Sequence, residues 1–239
     1  TPKHLLLFRA LGAEPPVFAL VPLILGQDKK RLSKRHGATS VTEYARAGYL
    51  PEAMVNFLAL LGWSPGGDRE LMTRAELVAA FDLTGISGGN AVFNTEKLDW
   101  MNGQYIAQLP AARLVDMVSP LLHEAGLTPN PDPAWMARLI ALLQPRAKRL
   151  TDFVEQARPF LVDDVVYEAD AQKKHLQTPA ASAHVVTLQE VLRAVQPFDE
   201  AAVEVAIRQA AAEKGVKAGE LIHIARVAMT GRTTSPGIF

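Results

Sequence analysis

Apolar residues recur at helical spacing along most of the chain, and the exceptions mark its parts. HLLLFRALG, residues 4–12, reads as a helix closed by Gly12, a residue suited to the left-handed position after a helix end. Pro15 and Pro16 interrupt, and VFALVPLIL, residues 17–25, is a nearly continuous apolar run that predicts a strand. Beyond a polar stretch, Ser40 and Glu43 have capping-box spacing ahead of EYARAG, and Thr73 and Glu76 repeat it ahead of LVAAF. Between them Pro51 opens, and Gly62 closes, PEAMVNFLALLG. A further helix is predicted over 94–105, with Leu98, Met101 and Tyr105 on one face.

The pattern resets near Leu109 and Pro110. The remainder of the chain predicts helices at about 111–125, 133–144, 151–158, 166–176, 187–195, 199–213 and 218–229, with Thr187 and Glu190 as a third capping box. PNPDP, Gln144-Pro145, Gln177-Thr178-Pro179, Gln196-Pro197 and Lys214-Gly215 divide them. No fixed-period repeat emerges, which argues against a solenoid. The expected fold is mainly α: a small α/β part, then a helical cage.

With 239 residues and 49% hydrophobic content the chain can fill real cores. It has no cysteine, and its six histidines show no pair at ligand spacing on one helix face. No disulfide and no structural metal are therefore expected. No apolar run approaches the roughly 20 residues that cross a bilayer, and no signal peptide opens the chain, so a soluble cytoplasmic protein with no membrane partner is expected. The 25 basic and 25 acidic residues cancel, which speaks against a nucleic-acid binder held by bulk charge alone. Locally the balance fails: QDKKRLSKRH, Gln27 to His36, sets five lysines and arginines against one acid.

Within it, Lys30-Arg31-Leu32-Ser33-Lys34-Arg35-His36-Gly37-Ala38 surrounds a small hydroxyl with cations and ends on a glycine. That composition suits a mobile loop bringing donors to phosphates; a solvated basic loop without a ligand is the alternative. The string LSKRHGA resembles the KMSKS signature of class I aminoacyl-tRNA synthetases in its glutamyl form, and it comes directly after VPLIL as that family requires. The resemblance implies an ATP-binding loop of Arg31, Leu32, Ser33, Lys34 and Arg35. Lys34 is the implied catalytic residue, stabilising charge on the triphosphate as the adenylate forms. Arg31 stands where the family usually has a lysine.

The resemblance extends along the chain. TSVTEYARAGYLPEAMVNFLALLGWSPGGDRE and FNTEKLDWMNGQYI are similar to the part of bacterial-type glutamyl-tRNA synthetases that contacts the tRNA stem, which implies Lys97 and Trp100 near the tRNA backbone. Core packing for Trp100 and a solvated face for Lys97 are the competing readings. QPRAKRL resembles the anticodon-domain turn in which an arginine, here Arg146, reads the third anticodon base. IARVAMTGRTTSPGIF resembles the segment holding the other bases, which implies Arg226, Ser235, Pro236, Gly237 and Ile238 at that surface. An arginine capping a helix end or pairing with an acid is the alternative for Arg146 and Arg226.

The implied organisation is the end of a catalytic Rossmann-type domain over 1–38, a stem-contact helical domain over 39–108 and an α-helical anticodon-binding domain over 109–239, split near 165. No two histidines have the spacing of the HIGH-type sequence that such enzymes also need. The chain thus reads as a C-terminal fragment, inactive alone, of a monomeric ligase that joins L-glutamate to tRNA(Glu) with ATP through glutamyl-adenylate, magnesium accompanying the nucleotide. A free-standing RNA-binding helical module and an unrelated helical interaction protein are the alternatives. The β-barrel anticodon region of glutaminyl-tRNA synthetases conflicts with the helical periodicity after Pro110.

Overall fold

The computed structural model describes residues 1–33 and 40–239, and these form two compact units, Thr1–Tyr105 and Ile106–Phe239. In the first, α1 (Pro2–Ala10) buries none of its residues. The expected strand over 17–25 shrinks to β1 (Ile24–Leu25), which pairs in parallel with β2 (Ala91–Val92). Val17, Leu20, Val21 and Leu23 are exposed. An apolar run becomes a strand only where another edge takes its hydrogen bonds. Here Leu23 O accepts from Ala91 N (3.1 Å) and Leu25 O from Phe93 N (2.8 Å), while Pro15, Pro16 and Pro22 lack the donor altogether.

The helices α2 (Val41–Arg46), α3 (Pro51–Ala59) and α4 (Arg74–Ala80) start as their caps dictate, with both capping boxes formed at Ser40/Glu43 and Thr73/Glu76. The last, α5 (Thr95–Gln108), continues three residues beyond the expected 105. Tyr49, Met54, Phe57, Phe93, Leu98 and Met101 make the core between them. Two buried amides tie it together. Asn102 Oδ1 accepts from Leu50 N at 2.8 Å, and Asn56 Oδ1 accepts from Met72 N (2.9 Å) and the Tyr105 hydroxyl (2.7 Å).

The second unit is helical throughout its regular structure. First come α6 (Ala111–Glu124), α7 (Pro133–Leu143) and α8 (Asp152–Leu161), packed on one another around Leu114, Val118, Leu122, Ile140, Leu143 and Phe153. Then come α9 (Ala169–His175), α10 (Ala181–Ala194), α11 (Glu200–Glu213) and α12 (Ala218–Thr230), whose core is Leu188, Ile207, Ala211, Leu221 and Ile224. Asp132 and Asp199 cap α7 and α11, accepting from Ala134 N and Ala202 N at 2.9 Å.

The third capping box does not form. Thr187 lies inside α10, which begins six residues earlier at Ala181, and its hydroxyl donates to Ala183 O at 3.0 Å. Ala181, His184, Thr187 and Leu188 fall on one buried face. Burial of that face carries the helix through a residue whose hydroxyl would otherwise suit a cap, and the threonine bonds back one turn instead. The helix expected over 166–176 is shorter, starting at Ala169, because the segment before it is tied to the end of α12: Glu168 N donates to Gly231 O (2.9 Å) and the Tyr167 hydroxyl to Ala228 O (3.0 Å).

Candidate functional site

The basic loop is rooted in a tight turn. Lys29 N donates to Gly26 O (3.0 Å), Gly26 N to Lys30 O (2.8 Å), and the Asp28 carboxylate accepts from Lys30 N (3.0 Å), with Lys29 at φ 59°. The chain then runs back antiparallel to β1, with Arg31 opposite Leu25 and Leu32 N donating to Ile24 O at 2.9 Å. β1 therefore has β2 on one edge and the start of the loop on the other. Leu32 points into the Tyr49–Met101 core, while Arg31 and Ser33 are exposed. Side chains alternate across an extended backbone, so anchoring Leu32 leaves its two neighbours on the solvent side. They line a cleft of about 970 Å³ together with Gly26, Gln27, Asp28, Lys30, Phe93 and Thr95. Lys34 and Arg35 lie outside the described residues.

Lys97 and Trp100 both sit on α5. Trp100 is 42% exposed, so it is not a core residue, and Lys97 Nζ binds the Glu70 carboxylate at a partly exposed position. Such a pair contributes little to stability.

The C-terminal unit brings three of its sequence-predicted residues together. Gln144–Arg146 forms a single 3-10 turn at the end of α7. Gln144 Nε2 donates to Ile106 O and Leu109 O, both at 2.8 Å, and the Asp152 carboxylate takes Lys148 N (2.8 Å) and Arg149 N (3.0 Å). The turn around Arg146 is thus held on both sides while its own side chain stays exposed. Arg146 Nη1 donates to the main-chain oxygen of Ser235. From α12, Arg226 Nε donates to Ser235 Oγ at 3.1 Å. Pro236 is buried, Ile238 packs against the α10–α12 core, and Gly237 is exposed.

Residues 113–239 match the family model described as anticodon binding domain, more than half of the chain. The chain belongs to the anticodon binding domain family. Residues 1–100 match the catalytic domain of the class I tRNA synthetases (E and Q). Glutamate–tRNA ligase 2 of Koribacter versatilis (strain Ellin345) is 48% identical over 241 residues, covering 100% of this chain and 50% of the relative. The glutamate–tRNA ligase of Moorella thermoacetica is 41% identical over 243 residues with the same coverage. Among solved structures, a glutamate tRNA ligase from Elizabethkingia meningosepticum in complex with its amino acid superposes with TM-score 0.81 at 27% identity, over 99% of this chain and 50% of that one. The chain spans about half the length of the curated relatives it matches.

In the anticodon binding domain, several further residues shape the surface. Gly231 ends α12 at φ 72°, and a Cβ there would stand 2.1 Å from Val166 O. Only glycine fits such a turn, and the turn sends the chain back so that Ser235 meets Arg226. Arg232, just beyond, binds Glu155 of α8 (2.9 Å) and Glu168 before α9 (3.6 Å). His223 lies one turn before Arg226, its Nδ1 3.3 Å from Arg226 Nη1, and its ring stacks on His175 with centroids 5.3 Å apart. The single sequence signal that could have found His223 is its i, i+3 spacing from Arg226. Among the described residues no helix is long and apolar enough to cross a membrane.

Proposed function

We propose that this chain is the tRNA-reading part of a ligase that attaches L-glutamate to tRNA(Glu) with ATP through glutamyl-adenylate, and that it also supplies the ATP-facing loop. The observation that carries this is the meeting of Arg146 and Arg226 at Ser235. Two exposed or half-exposed guanidiniums from distant segments face one small residue, on a helical scaffold that belongs to an anticodon binding family. Arginines so placed suit unpaired bases, which are read by donors on their edges and by stacking. The relatives' name, glutamate–tRNA ligase, supplies the amino acid and the nucleic acid.

At the other end, Arg31 and Ser33 on the cleft wall, with Lys34 and Arg35 after them, would contact ATP, Lys34 as the catalytic residue. Leu32 contributes through its main chain, its side chain serving as the anchor of the loop. Magnesium would accompany the nucleotide, neutralising phosphate charge. Lys97 and Trp100 would lie against the tRNA backbone, Lys97 exchanging Glu70 for a phosphate. The parent enzyme is proposed to be monomeric and cytoplasmic.

Binding of a tRNA(Glu) transcript to the full-length protein tests the reading. Arg146→Ala and Arg226→Ala should each weaken binding about tenfold or more, with wild-type Tm. If both bind as wild type does, the surface is not an anticodon site.

A further inference from the structure

Arg226 approaches a nucleotide productively only if its guanidinium is fixed from behind. Ser235 Oγ takes one donor, Nε, at 3.1 Å. The second contact, Nη1 to His223 Nδ1 at 3.3 Å, has only one chemical solution. A guanidinium has five N–H donors and no acceptor. His223 Nδ1 must therefore be the acceptor, which makes the imidazole neutral and places its proton on Nε2. No other hydrogen bond of Arg226 through a side-chain nitrogen occurs among the described residues, so Nη2 is left for a ligand.

The ring that provides this lone pair is itself oriented. His175, the last residue of α9, lies against it with an interplanar angle of 25°. Burial, first among the causes, holds His175 below the usual imidazole range. A second cation in the stack, beside Arg226, would raise the local charge further.

We propose that His223 is a positioning residue for anticodon recognition: oriented by the His175 stack, it uses Nδ1 to hold the Arg226 guanidinium so that Nη2 is presented to a base or phosphate of the anticodon loop. This rests on reading Arg226 as an anticodon-binding residue.

The test is the affinity of the full-length protein for a fluorescein-labelled RNA stem-loop carrying the glutamate anticodon, with Tm measured for every variant. Arg226→Ala establishes whether the arginine binds RNA. His223→Leu removes the acceptor and should weaken binding about tenfold, as loss of a charge-assisted hydrogen bond does. His223→Asn keeps an acceptor oxygen close to the Nδ1 position and should restore affinity to within about threefold of wild type, by the same reckoning. Weakening by Arg226→Ala with wild-type affinity for His223→Leu overturns the positioning role and leaves the anticodon reading standing. Equal weakening by leucine and asparagine overturns it too, because ring packing and not the acceptor would then matter. Wild-type affinity for Arg226→Ala removes both. Independently of any variant, imidazole 15N shifts of His223 should show Nδ1 bare and Nε2 protonated at neutral pH; the opposite tautomer overturns the proposal.

Discussion

Arg146 donates Nη1 to the main-chain oxygen of Ser235, a residue 89 positions further along the chain. The contact closes the C-terminal segment onto the turn at the end of α7. The contact occupies one of the five N–H donors of the guanidinium and leaves the others for a ligand.

Under the proposed function, Arg146 reads the third anticodon base and discriminates between two tRNAs. The glutamate anticodon ends in cytosine and the glutamine anticodon in guanine, and a guanidinium can satisfy cytosine O2 and N3 but not the N–H donors of the guanine edge. Arg146→Gln adds an acceptor and should narrow the preference for tRNA(Glu) over tRNA(Gln) by about ten- to a hundred-fold, mainly by admitting guanine. The ratio of kcat/KM for the two tRNAs, measured on the full-length enzyme, checks it. An unchanged ratio reduces Arg146 to a residue that latches Ser235.

At the loop, anchoring and chemistry should separate. Leu32→Ala removes a core contact below β1 and should lower stability by about 1–3 kcal/mol, seen as a lower denaturation midpoint. Arg31→Ala, on an exposed side chain, should leave the midpoint unchanged and raise KM for ATP. Lys34→Ala in the full-length enzyme should slow adenylate formation by about 10²-fold, with a smaller change in ATP affinity. A wild-type rate for the last variant at saturating ATP would remove Lys34 from the mechanism.

Gly231 and Gly126 share a φ of 72° but not their surroundings. Nothing lies within 4 Å of a Cβ added to Gly126, whereas at Gly231 it collides with Val166 O. Asparagine tolerates the left-handed region. Gly126→Asn should therefore cost under about 1 kcal/mol, while Gly231→Asn should cost about 2 kcal/mol or more and weaken RNA binding by displacing Ser235. Equal denaturation midpoints for the two would contradict the close approach.

The capping box at α4 predicts an acid limb of stability. Hydrogen bonds from the Thr73 backbone and side chain, and then the Arg69 charge, hold the Glu76 carboxyl below its usual range. A carboxylate whose folded pKa is depressed binds fewer protons folded than unfolded, so its contribution is complete above the ordinary glutamate pKa and is lost as pH falls towards the lower folded value. Wild type should lose stability relative to Glu76→Gln as pH drops through that window. Parallel pH profiles for the two would show that the box contributes no such linkage.

Sequence by itself determined the helices whose signals are local. Ser40/Glu43 and Thr73/Glu76 close their boxes because cap and acceptor lie within one turn, and the 3.6-residue period of α6, α7, α11 and α12 survives because each apolar face is continuous. The LSKR string and the two arginine-bearing segments were equally legible, since each is a short run. Tertiary structure decided the rest. VFALVPLIL is strand only at Ile24 and Leu25, where β2 offers an edge, and Thr187 is mid-helix because its neighbours had a core to fill. Residues 146, 226 and 235 form one surface only through the turn at Gly231, and His223 acquires a role only beside Arg226 and His175. Local patterns encode hydrogen bonds that close within a turn; which distant groups share an acceptor depends on packing, and no short window of sequence contains it.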